Sequence, residues 1–141
     1  FQSDRRLTNS DLDLIKSEMD SFIPKWATHG EELTAEYTII NEFFLIVGND
    51  ESKVATSGCS KDSLTHVVQS IGGKLEIDFF NRLNTVYQSK SGDLRITNML
   101  NLKKMMQKDE VRQNTLVFNN LIEFKSDLLK MITFINYDNN R

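Results

Sequence analysis

The apolar residues of this chain change their spacing repeatedly, and that alternation restricts the folds open to it. Leu12, Ile15, Met19, Phe22, Ile23 and Trp26 recur every three or four residues, which lays a single apolar stripe along a helix. A little further on, Leu33, Ala35, Tyr37 and Ile39 alternate with Thr34, Glu36 and Thr38, the two-residue period of a half-buried strand. A chain that reads helix, hairpin, helix, hairpin, helix cannot be a pure bundle or a pure sandwich.

Local signals place the ends of these elements. Leu7 and Leu12 have the spacing of a hydrophobic staple, with Thr8 as N-cap and Asp11 in the first turn. Pro24 removes a backbone donor late in the stripe and predicts a kink or an early end. Gly30 suits a helix C-cap, with His29 at the helix C-terminus. Asn41-Glu42 can turn the chain into Phe43-Phe44-Leu45-Ile46-Val47. This run is apolar throughout and reads as a central strand covered on both faces. Phe1-Gln2-Ser3 reads as the end of another strand.

A second helix is expected from about Cys59 or Ser60, with Leu64, Val67, Val68, Ile71 and Leu75 on its buried side and Gly72-Gly73 weakening its end. Ile77 to Leu83 reads as a short helical turn. Thr85–Gln88 and Leu94–Thr97 flank a Gly92-Asp93 turn, forming a second hairpin. Leu100 to Lys108 is expected as a third helix and Thr115 to Asn119 as a strand. Phe124, Leu128, Met131, Ile132 and Ile135 share one helical face in a last amphipathic segment. The expected architecture is α+β: a single domain spanning 1–141, with a mixed or mainly antiparallel sheet built from two hairpins plus one or two further strands, and three to four helices.

The 141 residues are enough for one sizeable core, and 26% charged with 39% hydrophobic residues is a globular composition. The net charge of -3 argues against a nucleic-acid partner, which usually leaves a basic footprint. The longest apolar run is too short for a membrane span. A lone cysteine forms no internal disulfide and fits a reducing compartment.

Ser57-Gly58-Cys59-Ser60-Lys61-Asp62-Ser63 holds that cysteine where a loop turns into the second helix. Free N–H groups at such a junction suit an anion or a thiolate. Ser57, Gly58, Cys59, Ser60, Asp62 and Ser63 are therefore the candidate ligand-binding residues. Cys59, Asp62 and His66 share one helix side, and Asp62 can reach His66. Cys59 and His66, however, lie about 10 Å apart along the axis, too far for a dyad. A base for Cys59 would come from elsewhere, and His29 or Asp50 are the candidates. The plainer alternative makes Ser57 or Ser60 an ordinary N-cap and Cys59 a small buried filler. Trp26 and His29 either wall a cleft or simply end the core stripe and cap the helix. Asp4, Asp50 and Asp78 flank turns without converging, and one Cys with two His matches no zinc pattern, so no metal is expected. No GxxxxGK[ST], strand-borne GxGxxG or GxSxG motif occurs, and no cofactor is expected.

Several segments together resemble a known family. They are Gln2-Ser3-Asp4-Arg5, Trp26-x-x-His29-Gly30, Phe44 to Asp50 running into Ser57-Gly58-Cys59-Ser60-x-Asp62-Ser63, Ile77-Asp78-Phe79-Phe80-Asn81-Arg82, and Thr115-Leu116-Val117-Phe118-Asn119-Asn120. The family consists of small bacterial proteins of uncharacterised function, some of which carry the label "ABC transporter ATPase". The resemblance covers nearly the whole chain, with the SGCSxDS segment its most specific motif. It implies the family's fold and a cytoplasmic setting. It does not carry ATP hydrolysis over, since an ABC ATPase needs a phosphate loop and far more chain. The family pattern also implies a strand before Phe1 and a Trp/His-containing tail, where this chain has Tyr137-Asp138-Asn139-Asn140-Arg141.

These readings converge on a non-enzymatic module that binds a small anionic ligand or a protein partner at Ser57–Ser63. The alternatives are a cysteine-dependent enzyme or redox sensor using Cys59, and a structural subunit that forms a homo-oligomer through the C-terminal helix.

Overall fold

A computed structural model of the protein describes residues 1–135, so the expectation for Tyr137–Arg141 lies outside the described residues. The fold is α+β, and every strand pairing among the described residues is antiparallel. The chain forms two compact units, Phe1–Phe80 and a second that begins at Asn81.

In the first unit, helix α1 spans Asn9–Phe22. Thr8 Oγ1 accepts from the Asp11 amide (3.2 Å) and the Asp11 carboxylate accepts from the Thr8 amide (2.7 Å), a complete capping box. Pro24 ends the α-helix as expected, and the chain tightens into a 3-10 turn at Ile23–Lys25. Gly30 does not cap this helix. His29 (φ 48°) and Gly30 (φ 84°) instead form the two-residue turn between β1 (Ala27–Thr28) and β2 (Glu31–Glu32). Two consecutive positive φ angles are what a tight hairpin requires.

Strand β3 (Ala35–Ile40) pairs with β4 (Phe44–Asn49) through the expected turn. Asn41 (φ 53°) and Glu42 (φ 57°) both adopt left-handed backbone there. That conformation is costly for glutamate. It is held by the Leu7 amide, which donates to Glu42 O, and by an Arg6–Glu42 ion pair. On the open side of β4, Phe1 N donates to Leu45 O (2.8 Å), Leu45 N to Phe1 O (3.0 Å) and Ser3 N to Phe43 O (2.8 Å). Phe1–Ser3 thus flanks β4 as a strand would, and Phe43, Phe44 and Leu45 are buried.

Helix α2 spans Gly58–Leu75. Its Val68 and Ile71 join Ile15 and Met19 of α1, Leu45, Leu7, Ile77 and Phe79 in one core. Each such fully buried aliphatic side chain contributes about 1.5–3 kcal/mol. Gly72-Gly73 do not end the helix: α2 runs through both, despite their low helix propensity, and stops at Glu76, a left-handed C-cap. Gly72 is needed for close approach: a Cβ there would sit 2.5 Å from Ile77 O. Ile77 to Leu83 is not helical. The Asp78 carboxylate accepts from the Phe80 amide (2.8 Å), and Asn81 Oδ1 accepts from the Leu83 amide (3.0 Å). These local turns compete with helix.

The second unit is built on a four-stranded sheet in the order β6-β5-β7-β8. The expected hairpin is β5 (Asn84–Gln88) with β6 (Leu94–Asn98), and helix α3 (Met99–Gln107) follows. Strand β7 (Leu116–Phe118) lies within the expected Thr115–Asn119. Tyr87, Leu102, Val111 and Ile135 form this unit's core, with Met105, Met106 and Val117 packed against it. The last segment is not an amphipathic α-helix. Lys125–Met131 is a 3-10 helix, and Ile132–Phe134 is the edge strand β8, paired with β7. The β-branched and aromatic run Ile132-Thr133-Phe134 suits a strand better than a helix.

Candidate functional site

The Ser57–Ser63 segment forms the first turns of α2, as expected, and Ser57 is the N-cap. Ser57 Oγ accepts from the Ser60 amide (3.2 Å), and Ser60 Oγ accepts from the Ser57 amide (2.8 Å). Ser60 Oγ also donates to Ser57 O (2.9 Å), and Ser63 Oγ donates to Ser60 O (2.8 Å). The hydroxyls of Ser60 and Ser63 are thus donated to the helix's own backbone rather than presented outward. Ser60 is buried.

Below the turn, Trp26 Nε1 donates to Ser60 O (2.8 Å), a buried hydrogen bond that fixes the helix start from the β1 side. Trp26 is therefore core and not the wall of a cleft, while His29 is exposed at the hairpin tip. Thr28, two residues after Trp26 in extended chain, is also buried. Its Oγ1 has no hydrogen-bond partner among the described residues and remains an unspent polar group.

On the outer side of the turn, Gly58 and Cys59 are exposed. Cys59 is thus not a buried filler, because the second helical position of α2 faces away from the stripe on Val68 and Ile71. The Lys61 amide donates to Ser57 O, and the Ser60 amide is capped by Ser57 Oγ. The amides of Gly58 and Cys59 have no partner among the described residues. No acidic residue lies in this first turn, and Lys61, Asp62 and His66 are exposed just beyond it. A positive helix pole without a carboxylate attracts anions.

A catalytic set is not assembled around Cys59. Among the described residues no hydrogen bond joins Cys59 to His29, to Asp50 or to His66, nor Asp62 to His66. The Asp50 carboxylate is engaged in its own turn, accepting from Ser52 Oγ (2.6 Å) and the Ser52 amide (3.1 Å). These bonds, the side-chain one foremost, hold its pKa below the ordinary carboxylate value. No group of three His, Cys, Asp or Glu side chains is placed to hold a metal ion among the described residues. No helix among them is long and apolar enough to cross a membrane.

Among the described residues the second unit carries two open depressions, at positions that no sequence motif marks. One, of 330 Å³, is lined by residues at the ends of β5 and β7, including Lys90, Arg112 and Asn114. Its neighbour, of 440 Å³, shares Arg112 and Asn114 and adds Asp109 and Met106. The only sequence signal for them is the i, i+3 pair Asp109–Arg112, ordinarily an exposed ion pair of little energetic weight. No protein-family model, no curated protein and no solved structure matches this chain.

Proposed function

We propose that the chain is a non-enzymatic binding module that accepts an anionic group on the exposed first turn of α2. The observation that carries this reading is the pair of amides at the exposed residues Gly58 and Cys59, unpartnered among the described residues, in a helix turn with no acidic residue. The capping box and Trp26 hold that turn in place, so little ordering entropy is lost when a ligand arrives. The bacterial, cytoplasmic setting implied by the resemblance belongs to the same proposal and agrees with an unpaired, exposed thiol.

Gly58→Pro tests it. Proline is favoured at the first helical position, and Ser57 (φ -96°, ψ 170°) already has the extended backbone that a residue before proline requires. A Cβ at Gly58 meets nothing within 4 Å. The variant therefore removes one of the two amides and keeps the helix. Phosphate or sulfate is expected to raise the melting temperature of the wild type and to do so less in the variant. Absence of any anion-dependent shift, or an equal shift in both proteins, refutes the proposal.

A second reading rests on the apolar end of the second unit. Leu121, Phe124, Leu129, Ile132 and Phe134 are all exposed, Leu129 at 92%. Met131 O accepts from the Asn119 amide and the Ile135 amide donates to Thr115 O, the residues flanking β7, so Ile132 and Phe134 turn their main-chain groups away from β7. The occupant in this reading is a second copy of the chain, whose β8 edge is complementary to this one in antiparallel pairing. Light scattering that finds a strict monomer at high concentration ends it.

A further inference from the structure

The sheet of the second unit has a gap in it. Strand β5 meets β7 in a single residue pair, Tyr87 with Val117. Beyond that pair each strand turns onto its own loop: the Ser89 amide donates to Asp93 O (2.8 Å) and the Thr115 amide to Arg112 O (2.9 Å). The two ends splay, and the 330 Å³ depression lies between them, lined by Gln88, Ser89 and Lys90 on one side and Asn114, Thr115 and Leu116 on the other. Its size falls at the low end of ligand pockets, about 300–1,000 Å³.

Two cationic side chains, Lys90 and Arg112, stand in its lining. Lys90 Nζ gives one hydrogen bond to Asp109 O (2.6 Å), leaving further N–H groups. Arg112 Nε and Nη2 are committed to the Asp109 carboxylate (3.1 and 2.9 Å), and Nη1 has no partner among the described residues. The Asn114 side-chain amide is likewise unpaired among them. Two cations against one carboxylate leave an excess of one positive charge. The Arg112–Asp109 fork uses the Nε and Nη2 edge of the guanidinium, which leaves the Nη1 edge for a ligand.

We propose that this cleft is a second binding site, independent of the α2 turn. It takes a small ligand bearing a phosphate or carboxylate group, which Lys90, Arg112 and Asn114 grip through their free N–H groups. The experiment is an amide-resolved NMR titration of the full chain with inorganic phosphate, and separately with acetate, to tell which oxyanion is preferred. Saturable shifts are expected at Ser89, Lys90, Arg112, Asn114 and Thr115 with at least one of the two. Loss of a single charged hydrogen bond weakens binding by roughly tenfold, so Lys90→Gln should lose about that much affinity. Arg112→Gln should do the same, and the amide spectrum of each exposed-site variant reports that the fold is intact. Shifts confined to Gly58 and Cys59, no saturable shift at the cleft with either anion, or unchanged affinity in both variants overturns the proposal. Because the two sites shift different amides, failure at one is read separately from failure at the other.

Discussion

Two adjacent glycines in α2 should respond to the same substitution with opposite signs. Inside a helix alanine is favoured over glycine by about 0.8–1.0 kcal/mol. At Gly73 a new Cβ meets nothing within 4 Å, so Gly73→Ala should stabilise by roughly 0.5–1 kcal/mol. At Gly72 the same Cβ would lie 2.5 Å from Ile77 O and 3.5 Å from Phe79 Cδ2. Reaching even 3.0 Å, a separation real Cβ atoms essentially never go below, requires a movement of 0.5 Å (3.0 minus 2.5). The obstructing atom is main chain, so no rotamer change relieves the clash. Shifting it pulls on Ile77 and Phe79, both in the core, and on the Ile77 amide bonded to Gly72 O (2.9 Å). Overpacking costs about 1–3 kcal/mol, and a backbone clash belongs at the upper end. Subtracting the propensity gain leaves Gly72→Ala about 2 kcal/mol less stable than wild type. The assay is urea unfolding followed by tryptophan fluorescence. Trp26 is the only tryptophan and is buried in the first unit, so the signal reports on the unit that carries both glycines. With a slope of about 1–1.5 kcal/mol per molar urea, the midpoint should fall by about 1.5 M in one variant and rise by about 0.5 M in the other. A Gly72→Ala midpoint at or above wild type would mean that Ile77 does not pass close to the helix, and the reasoning fails.

Two further predictions concern protonation. Asp11 is buried and held well below the usual carboxylate range, chiefly by the Arg5 side-chain hydrogen bonds (2.6 and 3.2 Å). A depressed folded-state pKa adds stability above the unfolded value of about 3.9 that fades as pH falls below it. Asp11→Asn should therefore cost about 2 kcal/mol at neutral pH, less than a fully buried pair because Arg5 is 42% exposed, with the two proteins converging as the pH falls below about 4 in denaturation curves. A gap that persists undiminished at low pH would assign the loss to packing instead. Tyr37 is pushed up to about 12 by burial and by its hydrogen bond to Asp20 (2.6 Å). Its neutral form is the one the fold favours, so that stability is present below about pH 10 and lost on rising through the folded value. Absorbance titration should show a late phenolate step that Tyr37→Phe removes, and a variant that keeps the step would disprove the assignment.

The parts of the fold legible in the sequence are those decided by neighbours in the chain. The Thr8 cap, the break at Pro24, the Ser57 cap and the β3–β4 and β5–β6 hairpins each rest on residues within a few positions of one another. The structure departs from expectation where one local signal serves two structures. His29-Gly30 asks for positive φ, which a C-cap and a hairpin turn both supply. Apolar residues four apart from Phe124 to Ile135 fit a helix, yet a long-range pairing with β7 makes the end of that run a strand. Gly72 looks like a helix weakness until Ile77 is seen to pass over it. The Lys90–Arg112 cleft could not be read at all, because its two walls meet only through the β5–β7 pairing.

The two ends of α2 are held by contacts of different charge, which bears on the anion site proposed at its start. At its C-terminal end Arg5 Nη2 donates to Leu75 O (3.0 Å) while the same guanidinium is forked onto Asp11. A cation thus sits against the negative pole of the helix, and it is tied to the capping box of α1. At the other end the contact is neutral: Trp26 Nε1 reaches Ser60 O, a carbonyl that already accepts from Ser63 Oγ. A neutral donor positions that turn without offsetting its positive pole. Serines cap it where an aspartate would have done so with a charge, and Ser60 stands where a capping box usually places a glutamate. The helix is therefore electrostatically matched at one end and unmatched at the other. An oxyanion on the Gly58 and Cys59 amides would supply the missing charge.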